Sequence, residues 1–287
     1  MIIAIASGKG GTGKTTLATN LAMSLARRNQ AVQLLDCDVE EPNCHLFLRP
    51  VIEMTETISL PVPEVDRQRC TGCGECGRIC QFSAILSIKD VVLTFPELCH
   101  GCGGCGMVCP EGAISEVPRE IGVLEEGQVD GIQFVHGRLR IGEAMSPPLI
   151  REVKERISLR GTSVIDAPPG TSCPVIEAVK GSDVCLLVTE PTPFGLNDLK
   201  LAVGMVRALE LPHAVIINRA DVGDREVLKY CRREEIDVLL EIPNDRRIAE
   251  SYSRGELIVD ALPEYREDFQ GLLEKIFQLR SGKEAMV

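Results

Sequence analysis

The 287-residue chain has no tryptophan, and aromatic side chains make up only 3% of it. Its core must therefore be assembled from Ile, Leu, Val and Ala. No apolar run approaches the roughly 18 residues of a membrane-spanning helix, so no membrane association is expected. The apolar start, Met1 to Ala6, passes at once into a glycine-rich stretch. It reads as a buried strand rather than a signal peptide, and a cytoplasmic location is expected. Positive charge is also short. Lys and Arg number 31 against 42 Asp and Glu, a formal net charge of -11. That balance argues against a general nucleic-acid binder.

Cysteine and glycine are plentiful, with 13 and 26 residues. Eight of the cysteines fall between Cys70 and Cys109. Clustered cysteines without an export signal point to metal rather than disulfides. The cluster is an internal repeat: Cys70, Cys73, Cys76 and Cys80 recur 29 residues later as Cys99, Cys102, Cys105 and Cys109, and Ala84-Ile85 recurs as Ala113-Ile114. Two copies of one small unit, packed as a pseudo-dimer, are expected.

Around this segment the pattern alternates between strand and helix. Strands are predicted at 2–6, 31–35, 163–165, 184–189, 214–217 and 238–242. Helices are predicted at 14–28, 148–158, 175–180, 196–210, 225–233 and 246–252. Residues 120–142 read as extended chain with turns at Glu126-Gly127 and Asp130-Gly131. The rhythm predicts an α/β fold with a mostly parallel, doubly wound sheet. Pro61, Pro63 and Pro118 mark the expected boundaries, giving one discontinuous domain over 1–59 and 119–287 and a small α+β insert over 60–118.

Gly8-Lys9-Gly10-Gly11-Thr12-Gly13-Lys14-Thr15 fits the P-loop pattern G-x-x-x-x-G-K-[ST], placed after a strand and opening a helix. The glycines let backbone N–H groups curl around phosphate, and the helix N-terminus adds its dipole. Lys14 supplies charge to the terminal phosphates. The Thr15 hydroxyl can ligate Mg²⁺, and Thr16 follows it at the phosphate end of the helix.

Lys9 inside the loop resembles the deviant signature of the MinD/ParA/Mrp family of ATPases, which includes the nitrogenase iron protein. The resemblance covers nearly all of the chain outside the cysteine-rich segment. It implies binding of ATP and ADP with Mg²⁺, and a dimer in which Lys9 reaches the phosphates of the facing subunit. The dimer is either a homodimer or a heterodimer with a paralogous MinD-type ATPase. Asp36-Cys37-Asp38 is similar to the first switch, with Asp38 orienting the attacking water. Asp166-Ala167-Pro168-Pro169-Gly170 is similar to the second, with Asp166 on Mg²⁺ through water and the Gly170 N–H sensing the γ-phosphate. Asn218-Arg219 and Ile242-Pro243-Asn244 resemble the adenine-contacting segments.

Each half of the insert reads C-x₂-C-x₂-C-x₃-C, the spacing of bacterial two-cluster ferredoxins. Zinc sites favour separated C-x₂-C pairs, so two [4Fe–4S] clusters are expected. The resemblance implies that the fourth cysteine of each half serves the other cluster. Cys70, Cys73, Cys76 and Cys109 then hold one cluster, and Cys99, Cys102, Cys105 and Cys80 hold the other. Cys109 is followed by the usual proline; Cys80 is followed by Gln81.

Outside the insert, Cys37, Cys44 and Cys173 read either as small buried apolar residues or as groups that a dimer brings together around a further metal. The segment 265–279 places Phe269, Leu272, Leu273 and Ile276 on one helical face. Without a basic polar face it is expected to pack on the core rather than on a membrane. Three functions stand open: an ATP-switched redox protein acting on a partner, a metal-cluster assembly scaffold or carrier, and a positioning ATPase with structural or sensory clusters. The first is preferred, because every cluster ligand is present.

Overall fold

The computed structural model describes residues 1–89 and 91–284. Among the described residues there are eleven strands: β1 (Ile2–Ala6), β2 (Val32–Asp36), β3 (Val51–Val65), β4 (Ile85–Ile88), β5 (Val91–Thr94), β6 (Ile114–Val129), β7 (Ile132–Leu139), β8 (Thr162–Asp166), β9 (Val184–Thr189), β10 (His213–Asn218) and β11 (Val238–Ile242). Nine of them form one sheet in the order β11-β10-β9-β1-β8-β2-β7-β6-β3. From β11 to β7 every pairing is parallel; β6 and β3 add antiparallel to that edge.

β1 lies mid-sheet, and its residues alternate between the two faces. Ile3 and Ile5 enter the apolar layer that also holds residues of helices α1 (Lys14–Ala26), α2 (Cys44–Leu48), α9 (Arg246–Ser253), α10 (Ile258–Ala261) and α11 (Arg266–Glu284). Ala4 and Ala6 enter the opposite layer, with α5 (Pro147–Glu155), α6 (Cys173–Val179), α7 (Pro193–Ala208) and α8 (Glu226–Arg233). A strand covered on both faces must be apolar throughout, which is why the parallel strands were legible as short continuous runs. In α11, Phe269, Leu272, Leu273 and Ile276 are all buried. The tail helix thus belongs to the core.

Residues 120–142 are extended as expected, and the Asp130-Gly131 turn is present, with φ +46° and +80°. Two positive φ values in a two-residue loop match the right-handed twist of the flanking strands. Glu126-Gly127 is not a turn; it lies inside β6. Gly127 is there because the Val51 carbonyl oxygen would sit 2.3 Å from a Cβ, leaving no room for a side chain.

β3 and β6 make a long antiparallel ribbon, paired from Val51↔Gln128 to Val65↔Ile114 with register shifts between Ile52 and Met54 and between Ile58 and Ser59. Pro61, Pro63 and Pro118 lie within it, and Pro61 faces Pro118. At about 3.4 Å per residue the ribbon is roughly 50 Å long. Beyond its far end, residues 66–113 carry the short helices α3 (Glu75–Ile79) and α4 (Gly104–Met107) and the β4–β5 hairpin. The ribbon therefore leaves the large sheet after the first aspartate pair, carries the cysteine-rich unit, and returns to pair with β7 before Asp166.

Candidate functional site

The glycine-rich loop joins β1 to α1, and Gly11 and Gly13 take the positive φ values (+74° and +100°) that its curl requires. A cavity of about 630 Å³ opens above it. Gly10, Gly11, Gly13, Lys14, Thr15, Thr16, Asp38, Asn218, Arg219 and Pro243 line it, all named from sequence. Val188, Ile216, Ile242 and Ile258 supply an apolar wall. The end of β10 is tied to the loop, because the Asn218 side-chain amide donates to the Thr12 carbonyl at 2.8 Å. A Cβ on Gly13 would stand 2.6 Å from that amide, and one on Gly8 would stand 2.4 Å from the Asp198 carbonyl oxygen. Gly8 needs glycine for close packing, and Gly13 for close packing and for its left-handed φ.

β2 and β8 are neighbours, with Asp36 opposite Asp166. Both carboxyls are fully buried. The Thr15 hydroxyl donates to Asp166 Oδ2 at 2.6 Å, while Asp166 Oδ1 is buried without a partner. Asp36 accepts three backbone N–H bonds, from Asp38 (3.1 Å), Asn43 and Cys44 (3.0 Å each). Burial first, and then the charge of Asp166, push the Asp36 carboxyl above its ordinary range, against the N–H groups of Cys44 and Asp38. Burial also raises Asp166, which Thr15 and Lys14 pull back. Asp38 is raised to about 6 by burial and by Asp166, with Lys14 opposing. Asp36 thus holds the loop after β2 in shape, and of this pair Asp38 is the one that faces the cavity.

Gly170 has φ +99°, and its N–H donates to the Ser7 carbonyl at 2.9 Å. In this conformation that donor is occupied by the protein's own backbone. Lys9 likewise has a partner within its own subunit: its ammonium lies 3.0 Å from Glu190 Oε2. Glu190 was not singled out from sequence. The available signal was its place just past the carboxyl end of β9, where this architecture gathers ligand-binding groups.

Cys44 follows the Asp36 loop, and its thiol lies 3.4 Å from Asp166 Oδ2. Burial raises it well above the ordinary thiol range. Cys37 is buried as well, and Cys173 is exposed. Beside Cys44, His45 stacks edge-on against His136, with ring centroids 5.3 Å apart, and His136 Nε2 is 2.8 Å from Glu125 Oε2 on β6. The loop that Asp36 holds therefore contacts the root of the ribbon.

At the ribbon's far end the eight cysteines surround two separate cavities. One is lined by Cys70, Cys73, Cys76 and Cys109, the other by Cys80, Cys99, Cys102 and Cys105. Gly72, Gly74, Gly101 and Gly103 have φ between +64° and +78°. Backbone N–H groups donate to sulfur: Ala84 to Cys80 (3.3 Å), Gly101 to Cys99 (3.4 Å) and Ala113 to Cys109 (3.3 Å). At Cys80 burial works against ionisation. Four backbone N–H groups, of Phe82, Ile85, Ala84 and Ser83, outweigh it and bring the thiol below its ordinary value. Gln81 in place of proline does not disturb that cradle.

Residues 3–258 match the CobQ/CobB/MinD/ParA nucleotide binding domain. Among curated proteins, an uncharacterized protein of Methanocaldococcus jannaschii is 33% identical over 96% of this chain and 96% of its own. The iron-sulfur cluster carrier protein of Pyrococcus horikoshii is 25% identical over 98% of this chain and 89% of its own. Among solved structures, the septum site-determining protein MinD of Pyrococcus horikoshii, complexed with Mg-ADP, superposes with a TM-score of 0.59. It covers 96% of this chain and 95% of its own at 23% identity.

Proposed function

The chain belongs to the CobQ/CobB/MinD/ParA nucleotide-binding family and is an ATPase of the MinD/ParA type, and from that premise we propose that its nucleotide state gates two [4Fe–4S] clusters held in the cysteine-rich unit, so that ATP hydrolysis controls electron transfer to a partner protein. The observation that carries this reading is the placement of the two cysteine quartets. Each surrounds its own cavity, and they stand on a ribbon that leaves the chain between β2 and β8 in sequence and is rooted at the sheet edge beside β7, the strand next to β2.

In this reading the loop N–H groups and Lys14 hold the phosphates, and the apolar wall and Asn218 take the base. Thr15 and Asp166 would hold Mg²⁺, which screens phosphate charge. The orphaned, buried Asp166 Oδ1 suits a hydrated cation. Asp38 orients the attacking water. Two subunits face each other across the nucleotides, and Lys9 crosses between them.

The cysteine sites fit cubane clusters on three counts: the quartets, the glycines that let the chain wrap, and the N–H groups aimed at sulfur. Such clusters supply one-electron storage. The protein's own part is to set solvent access and hydrogen bonding at the sulfurs, which tune the potential.

The test is anaerobic purification with iron and sulfide analysis. About eight irons per chain, four in each of two clusters, are expected. Stoichiometric zinc with little iron would contradict the proposal.

A second reading, a scaffold or carrier that hands clusters to apo-proteins, is favoured by the name of the Pyrococcus horikoshii relative. The two readings separate on lability. Clusters that survive a chelator and cycle reversibly belong to a redox protein; clusters that pass to an apo-ferredoxin belong to a carrier.

A further inference from the structure

Glu190 stands between two cations. Its Oε2 is 3.0 Å from Lys9 Nζ, and its Oε1 is 3.2 Å from Arg219 Nη1. The carboxylate is largely enclosed, with its side chain 11% exposed, while Lys9 is 34% and Arg219 55% exposed. The backbone beneath it is pinned. The Glu190 carbonyl accepts from Thr192 N–H at 2.8 Å, and a Cβ on Gly195 would stand 2.3 Å from that carbonyl oxygen. Thr189 Oγ1 closes the same turn onto the Gly195 carbonyl at 3.0 Å. The acid is fixed, and the lysine is the mobile partner.

We infer that Glu190 is a latch that parks Lys9 on its own subunit, and that it releases the lysine only when the ATP-bound faces meet. The inference rests on the proposed face-to-face dimer, in which Lys9 acts on the neighbour's phosphates. A lysine held by Glu190 is not free to do so. The arrangement also explains why release is affordable. Stripping a largely enclosed carboxylate of its only cation is costly, because the charge is left without a partner. Arg219 removes that penalty, because it stays on Oε1 when Lys9 leaves Oε2. Arg219 lines the nucleotide cavity and lies next to Asn218, which is tied to the phosphate loop. The latch is therefore joined to a segment that lines the nucleotide cavity and is tied to the phosphate loop.

The contact and its consequence are measured separately. In the nucleotide-free full chain, competitive acetylation reports the accessibility of the Lys9 amine, with the exposed Lys200 as internal reference. Glu190→Gln, which keeps the shape and removes the charge, is expected to raise Lys9 labelling and to tighten the dimer formed with a non-hydrolysable ATP analogue. Both effects should be about 3- to 10-fold, the size of a half-exposed ion pair. Glu190→Asp, which keeps the charge but loses reach, should fall between Gln and the native residue. Unchanged labelling overturns the contact. Raised labelling with an unchanged dimer dissociation constant overturns the latch and leaves the dimer reading intact. No dimer of either chain overturns the latch together with the reading on which it rests.

Discussion

Cys109 closes the cavity of Cys70, Cys73 and Cys76 rather than that of its sequence neighbours Cys102 and Cys105. Cys109→Ser is therefore expected to damage the distant cluster and spare the near one. Electron paramagnetic resonance of the reduced protein should lose one of two interacting signals and retain about four irons. Retention of both clusters, or loss of the one served by Cys99, would break the crossed assignment. At the other end of the molecule, Lys9 and Lys14 sit five residues apart with different surroundings. Lys14 is buried at the mouth of the nucleotide cavity, and Lys9 is turned outward onto Glu190. Lys14→Ala should abolish nucleotide binding. Lys9→Ala should keep the affinity within a few-fold while hydrolysis falls at least tenfold, as read by calorimetry and phosphate release. These residues were legible in the sequence because phosphate loops and cubane ligands impose fixed spacing. Glu190, Cys44 and the His45–His136–Glu125 contact were not, because each depends on strand ends brought together by the sheet.

The parallel strands and their helices announced themselves, since strands buried on both faces are continuous apolar runs. The first half of β3 did not. Residues 51–57 are all exposed at the sheet edge, so no hydrophobic alternation marks them. Prolines at 61, 63 and 118 suggested breaks; in a two-stranded ribbon they are tolerated because one side of each strand needs no donor. The register there is set by packing. Gly127→Val should push β3 away from β6 and cost about 1–3 kcal/mol or more, seen as a lowered urea midpoint. The tail helix shows how magnitude separates two readings of one pattern. Burying Phe269, Leu272, Leu273 and Ile276 contributes roughly 6–12 kcal/mol at about 1.5–3 per side chain, an upper estimate. Lifting the helix onto a membrane would forfeit that, and its polar face carries Glu267, Asp268 and Glu274. Phe269→Ala should accordingly cost about 3–5 kcal/mol of stability.

At the scale of the whole molecule, the loop after β2 and the ribbon root touch through His45, His136 and Glu125, while the cysteine quartets lie at the ribbon's far end. In the proposed gating, a γ-phosphate that moves the Asp36–Asp38 loop would act through this contact on the strand that leads to the sulfurs. Coupling is reciprocal: if ATP shifts the cluster potential, reduction shifts ATP affinity by the same factor. Glu125→Ala, which removes the carboxylate from this contact, should reduce the nucleotide-dependent shift by more than half. The most direct measurement is a redox titration of the intact protein followed by paramagnetic resonance, first with ADP and then with a non-hydrolysable ATP analogue. Couplings of roughly 5- to 150-fold correspond, at about 59 mV per decade for one electron, to a midpoint shift of about 40–130 mV, and a shift of that size is the expected result. Identical midpoints in the two nucleotide states, with ATP affinity unchanged by reduction, would contradict nucleotide gating of the clusters.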